Sequence, residues 1–306
     1  MAWWIHLTNQ AIQYMDIVEA EQPMLAVWSR WDRVAYYDLA TGAAHGEDQL
    51  VPAGTHDRSS ADWQLFVGDL KAPNGAYLPV LRMPEVEVHL TDDGRMRMYL
   101  TGAAQLLLDN DGTELELELR DVTSILALAL DRFLGLSAVL DQDGKLHLFQ
   151  QHIRVGTFDI GLKIHPELRS HLAISRGGSL VFASDGQQIV VTDSGGAVLK
   201  TLDTHYFIRQ MSCSPDGRYL VTNDMDTGVI RVYDALELVP THQRFAIDLV
   251  AEATQVQLLA DLPPTFVAPS TLASDNAGRI AFSMSGVICV TDLTFMDELP
   301  RPQALL

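Results

Sequence analysis

Cysteine is scarce in this chain: Cys213 and Cys289 are the two present in 306 residues. Two cannot build a disulfide framework at this length, so they read as reduced thiols packed as small apolar groups. Positive charge is scarce as well. Lys and Arg number 21 against 40 Asp and Glu, a formal charge of −19. That argues against nucleic acid as the main partner, because a phosphate backbone needs basic patches, and against anionic membrane surfaces. No apolar run reaches the roughly 18 residues of a membrane span. The first residues, MAWWIHLTNQ, lack the basic region and apolar run of a signal peptide, which makes a cytoplasmic location the expectation. No GxSxG, HExxH, P-loop or CxxC motif is present. The ten histidines are scattered. His45 with His56, and His165 with His171, lack metal-ligand spacing, and each His reads as a loop or strand-surface residue. Strong helical periodicity is nearly absent.

What fills the chain is strand and turn. The clearest stretch is SCSPDGRYLVTNDMDTGVIRVYDALEL, Ser212 to Leu238. In Ser214-Pro215-Asp216-Gly217, Pro presets φ, Asp bonds nearby backbone and Gly takes positive φ. Arg218–Thr222 and Val229–Tyr233 then alternate apolar and polar residues, the period of a half-buried strand. Parts of the stretch recur about every forty residues. An apolar strand ending in Asp appears at Asp38, Asp109, Asp193, Asp234 and Asp292, with Gln150 in the equivalent place once. A second marker lies upstream of it, at Asp92-Asp93-Gly94, Arg176-Gly177-Gly178, Pro215-Asp216-Gly217 and Asn276-Ala277-Gly278, and the third unit departs with Asp131-Arg132-Phe133. The two markers keep phase. Four strands fill each period; in the third unit they are expected at Ser124–Leu130, Leu134–Leu140, Lys145–Gln150 and Arg154–Ile160. Such a unit cannot bury its apolar face alone and must stack on its copies.

Four-stranded antiparallel units of this length resemble the blades of β-propellers, in particular WD-type and YVTN-like repeats. The residues carrying the resemblance are SPDGRYL, VYDALEL and YYDLATG; Tyr37-Asp38 and Tyr233-Asp234 stand where the family often has Trp-Asp, and its Gly-His pair is not evident. The resemblance implies an all-β, single-domain propeller over residues 1–306. Six blades are favoured over seven, with Ala2–Thr8 supplying the last strand and closing the ring. Two stretches are irregular. Residues 54–84 read as an insertion or a degenerate blade, with a hairpin around Pro73-Asn74-Gly75. Residues 241–262 read as an irregular insertion with a short helix at Ala251–Asp261.

The resemblance implies a non-enzymatic protein–protein interaction platform without a cofactor, catalytic residue or metal. The alternative is a hydrolase or lactonase-like enzyme, or a small-ligand sensor, with its site in the central channel. Turns between second and third strands carry Trp31-Asp32, Gln142-Asp143, Asp185-Gly186 and Asp224-Met225-Asp226. Two readings stay open there. Asp32, Asp143, Asp185, Asp224 and Asp226 form an acidic rim for a basic partner segment or a hard cation such as Ca²⁺ or Mg²⁺, or Asp and Gly simply suit tight hairpins. All five Trp fall within the first 63 residues. They read as bulky core, or, for Trp31 and Trp63, as exposed anchors of an interface.

Overall fold

The computed structural model describes residues 3–6, 12, 14–30, 33–49, 72–76, 78, 80–83, 86–91, 95–101, 106–110, 113–117, 119, 121–122, 124–133, 135–253, 271–284 and 286–300. Within them the chain is all-β apart from one α-helix and a single 3-10 turn. No helix among the described residues is long and apolar enough to cross a membrane.

After β1 (Trp3–His6), the strands fall into antiparallel meanders in chain order. The first sheet is β2 (Tyr14–Val18), β3 (Met24–Arg30), β4 (Arg33–Asp38) and β5 (Ala44–Gln49). The second is β6 (Val80–Met83), β7 (Val86–Leu90), β8 (Met96–Thr101), β9 (Leu106–Asn110) and β10 (Thr113–Glu116). The third is β11 (Ile125–Leu130), β12 (Leu136–Asp141), β13 (Lys145–Gln150) and β14 (Ile153–Asp159). The fourth is β15 (His171–Ile174), β16 (Leu180–Ser184), β17 (Gln188–Asp193) and β18 (Val198–Asp203). The fifth is β19 (Ile208–Cys213), β20 (Tyr219–Asp224), β21 (Val229–Asp234) and β22 (Val239–Phe245). Helix α1 (Ala246–Ala253) follows. The sixth is β23 (Thr271–Ser274), β24 (Arg279–Met284) and β25 (Val287–Asp292), and β1 pairs with β25 as its fourth strand, Trp3 opposite Val290. A last strand, β26 (Asp297–Glu298), lies beside β22. Six sheets of four or five antiparallel strands are compatible with a propeller-like arrangement.

Burial runs in a gradient across each sheet. Every residue of β12 is buried, whereas β14, at the edge of the same sheet, alternates exposed and half-buried positions. A strand covered on both faces is mostly apolar, with Ser137 and Asp141 the polar exceptions in β12, and an edge strand need not be. The covering comes from the neighbouring sheets. Leu136, Leu140 and Leu148 of the third sheet pack with Val181 and Val190 of the fourth. Phe182 and Val191 of the fourth pack with Leu220 and Tyr233 of the fifth. Met15 and Leu25 of the first meet Ala281 and Ile288 of the sixth.

The repeated Asp is a turn device. Asp38 Oδ1 accepts from the amides of Ala40 and Thr41, Asp193 Oδ1 from Gly195 and Ala197, and Asp234 Oδ1 from Leu236 and Glu237. Each closes the turn leaving the third strand of its sheet. The glycine of the upstream marker has two duties. Gly178 and Gly217 have φ near +66° and +72°, and a Cβ there would lie about 3.0 Å from Leu136 and Ser175 of the preceding sheet. Turn geometry and sheet packing ask for glycine together.

Two expectations are corrected. The described helix starts at Ala246, five residues before the expected Ala251–Asp261, of which 254–261 lie outside the described residues; Ala246, Leu249 and Val250 form its buried face, and the helix packs beside β22 and β25. His89, His147 and His171 are buried rather than on a surface. Most of residues 54–84 lies outside the described residues; within it, the chain turns at Pro73-Asn74-Gly75 and β6 adds an extra strand beside β7.

Candidate functional site

The first strands of the sheets face one another. β7, β11, β15, β19, β23 and β2 make neighbouring contacts in that order. A cavity of about 230 Å³ lies among them, and all six strands contribute to its lining. Its wall is mixed: Asp16, Glu19, His89, His171, Gln210 and Ser212 share it with Leu128, Ala173 and Leu272. Three arginines, Arg132, Arg169 and Arg176, line it too.

One end of this cavity is bounded by the turns that follow the first strands. Those turns are tied to one another. Asp131 Oδ1 accepts from the Gly177 amide at 2.8 Å, and the Arg176 amide donates to Pro215 O at 2.5 Å. The Asp216 amide donates to Asn276 Oδ1 at 2.6 Å, and Asn276 donates through its backbone and side-chain nitrogens to the two oxygens of Glu19. The third, fourth, fifth, sixth and first sheets are thus linked in a chain of hydrogen bonds. Arg132 Nη1 also donates to Ile17 O at 3.4 Å, and the Arg176 guanidinium lies 5.3 Å from the Phe133 ring centre. Burial pushes the Glu19 carboxyl above its ordinary range; the Asn276 amide and the nearby Arg132 and Arg176 pull the other way.

The opposite end carries the turns between second and third strands, where the sequence places its acidic rim. Asp185 is buried, and its Oδ1 accepts from the amides of Gln187 and Gln188. Asp224 is buried, accepts from the amides of Asp226 and Thr227 and from the Thr227 hydroxyl, and lies 3.5 Å from Arg231 Nη1. Burial alone would raise its carboxyl; those hydrogen bonds and Arg231 hold it below the usual value. The Arg231 guanidinium in turn sits 4.1 Å from the Tyr206 ring centre, and the Tyr206 and Tyr233 hydroxyls are 2.6 Å apart. Asp143 and Asp226 are exposed. The structure therefore divides the described part of the rim: two carboxylates hold their own turns and two face solvent. Trp31, Asp32 and Trp63 lie outside the described residues. Of the other Trp, Trp28 is fully buried, and Trp3 donates to Leu39 O at 2.8 Å.

A constellation that sequence reading missed lies in the third sheet. His147 Nε2 is 2.8 Å from Asp141 Oδ2, and its Nδ1 is 3.1 Å from Thr157 Oγ1. Carboxylate, imidazole and hydroxyl in series is the order of a nucleophilic triad. Here a cation fills the hydroxyl side. Arg154 forks onto Asp121 at 2.8 and 3.0 Å and donates to both Thr157 Oγ1 and His147 Nδ1. With Nδ1 accepting from a guanidinium, the imidazole has no lone pair left for the Thr157 proton. The group is a tie across the sheet. Its one sequence signal is His147 inside the apolar run LHLF, where a polar residue needs buried partners.

Among the described residues, no three His, Cys, Asp or Glu are placed to hold a metal ion. Burial pushes the Cys289 thiol up to about 12, which keeps it protonated and unreactive at neutral pH. Compared with protein-family models the chain matches none, and no curated protein matches it either.

Proposed function

We propose that the six sheets are blades of a WD-like β-propeller closed by β1, and that the protein is a non-enzymatic platform for a protein partner. The seam supports the closure: Trp3 of β1 reaches Leu39 of the first sheet and lies against Gly42, where a Cβ would come within 2.8 Å of its ring. The cavity reached by all six first strands supports it as well.

The observation that carries the platform reading is a set of exposed apolar side chains on the edges of three consecutive sheets. Ile153 is 63% exposed and Val155 48% on β14, Val198 and Leu199 are nearly half exposed on β18, and Leu236 is 51% exposed in the turn before β22. The edges adjoin: Phe158 of β14 packs over Gly196, and Lys200 of β18 lies 3.7 Å from Glu237. Apolar groups gathered in water mark a surface that another molecule covers. The charge of −19 selects that molecule: a segment carrying both apolar and basic residues gains area burial and attraction together. Asp143 and Asp226 supply the charge among the described rim residues, and Trp31, Asp32 and Trp63 belong to the same proposal.

The test has two steps. A partner recovered from native cells is purified, and its affinity is measured for the wild type, for Val155→Lys with Leu199→Lys, and for Asp143→Lys with Asp226→Lys. The expected result is at least about tenfold weaker binding in each pair, about 1.4 kcal/mol, with melting temperatures unchanged. Wild-type affinity in both pairs, or no partner at all, overturns the reading.

A further inference from the structure

The cavity differs in charge from the molecule around it. The chain carries 21 cationic against 40 anionic side chains. The cavity reverses that ratio, with Arg132, Arg169 and Arg176 against Asp16 and Glu19. Both carboxylates also serve the protein's own donors. Asp16 accepts from the Ile17 amide at 2.7 Å and from the Tyr14 hydroxyl at 3.4 Å, and Glu19 accepts from Asn276. Two of the arginines stand at one mouth and come from neighbouring sheets. Arg132 is braced on Ile17 O, and Arg176 is braced on the Phe133 ring. Guanidinium groups held in place this way lose little freedom when an anion arrives. Glu19 lines the same cavity, near enough to feel both guanidiniums and the Asp275 carboxylate.

We propose that the central cavity binds a small oxyanion, a carboxylate or a phosphate ester, at the end lined by Arg132 and Arg176. The volume of about 230 Å³ sets the scale of the ligand: it lies at the small end of ligand pockets. Planar bidentate contacts from guanidiniums suit both oxyanion types. This site is separate from the exposed apolar side chains of β14 and β18.

Titration calorimetry of the full chain at low salt, with inorganic phosphate in one series and succinate in another, tests the site. One-to-one binding to either probe, weakened by added salt, is expected, and the preferred probe identifies the ligand type. Arg132→Gln and Arg176→Gln should each weaken binding by about tenfold or more. Glu19→Gln, which removes a carboxylate from the cavity lining, should tighten it several-fold. Thermal melts run alongside check folding, and the exposed Arg176 carries the test if Arg132→Gln unfolds. No binding of either probe by the wild type, or equal binding by Arg176→Gln, overturns the proposal.

Discussion

The two ends of the sheets use the same residue types for different work. At one end, the turns after the first strands bond to each other: Asp131 to Gly177, Asp216 to Asn276, Asn276 to Glu19. At the other, Asp141, Asp185 and Asp224 each bond amides of their own hairpin, at most four residues away. A carboxylate in a tight turn is therefore not one thing. Where turns of neighbouring sheets meet, Asp131 and Glu19 fix sheet against sheet. Where they diverge, a carboxylate fixes only its own turn. The first kind of bond ties neighbouring walls of the cavity together, and the second leaves neighbours such as Asp143 and Asp226 exposed.

The largest effect should come from Asp131→Ala. Asp131 is fully buried and its Oδ1 accepts from both Phe133 and Gly177. Losing a buried charged acceptor and stranding two donors costs about 3 kcal/mol, measurable by urea denaturation. Hydrogen exchange sharpens the test. The Gly177 amide in the next sheet should lose protection together with Phe133; loss at Phe133 alone would break the distinction between the ends. Asn276→Ala should follow at about 2 kcal/mol, because one side chain joins Asp216 of the fifth sheet to Glu19 of the first.

How much of this was legible varies with range. The repeat, its four-strand filling and the Asp turns were readable, because Asx turns and strand alternation are local chemistry written within a few residues. The pairing of β1 with β25 was expected on ring-closure grounds. The start of the helix was missed because Phe245, Ile247 and Leu249 alternate like a strand, and its packing beside β22 and β25 reveals the helical face. The cavity mouth was not readable at all. Glu19 and Asn276 are 257 positions apart, and Arg132 and Ile17 are 115 apart; no window holds both. One trace existed. Asp131-Arg132-Phe133 breaks the turn rule, Gly135 takes positive φ one place later than its counterparts, and Arg132 lines the cavity, as Arg176 and Pro215 of the regular turns do.

Acid should weaken both ends in the same direction. Burial opposes ionisation of Asp224, but the Thr227 and Asp226 hydrogen bonds and Arg231 win, so its folded carboxyl lies below the unfolded value. A depressed carboxyl adds stability above the unfolded pKa of about 3.9, and that stability fades as pH falls toward the folded value. Asp216 at the other end is depressed in the same direction; burial opposes it and bonds from Ser214 and Arg218 prevail. Asp224→Asn should thus flatten the loss of melting temperature below about pH 4 without moving Gly177 exchange. A parallel curve for wild type and variant would mean that Asp224 carries none of the acid sensitivity.

The smallest effect belongs to Asp185→Ala. Its carboxylate accepts two amides, like Asp131, and it is nearly as buried. Counting bonds alone predicts equal damage. Position predicts less: both donors lie within three residues, at a turn next to solvent-facing Gln187, and a relaxed hairpin lets water replace the carboxylate. The expected cost is about 1 kcal/mol, with exchange rising only at Gln187 and Gln188. A loss as large as that of Asp131→Ala would show that the bonds, and not the convergence of neighbouring turns, set the difference between the two ends.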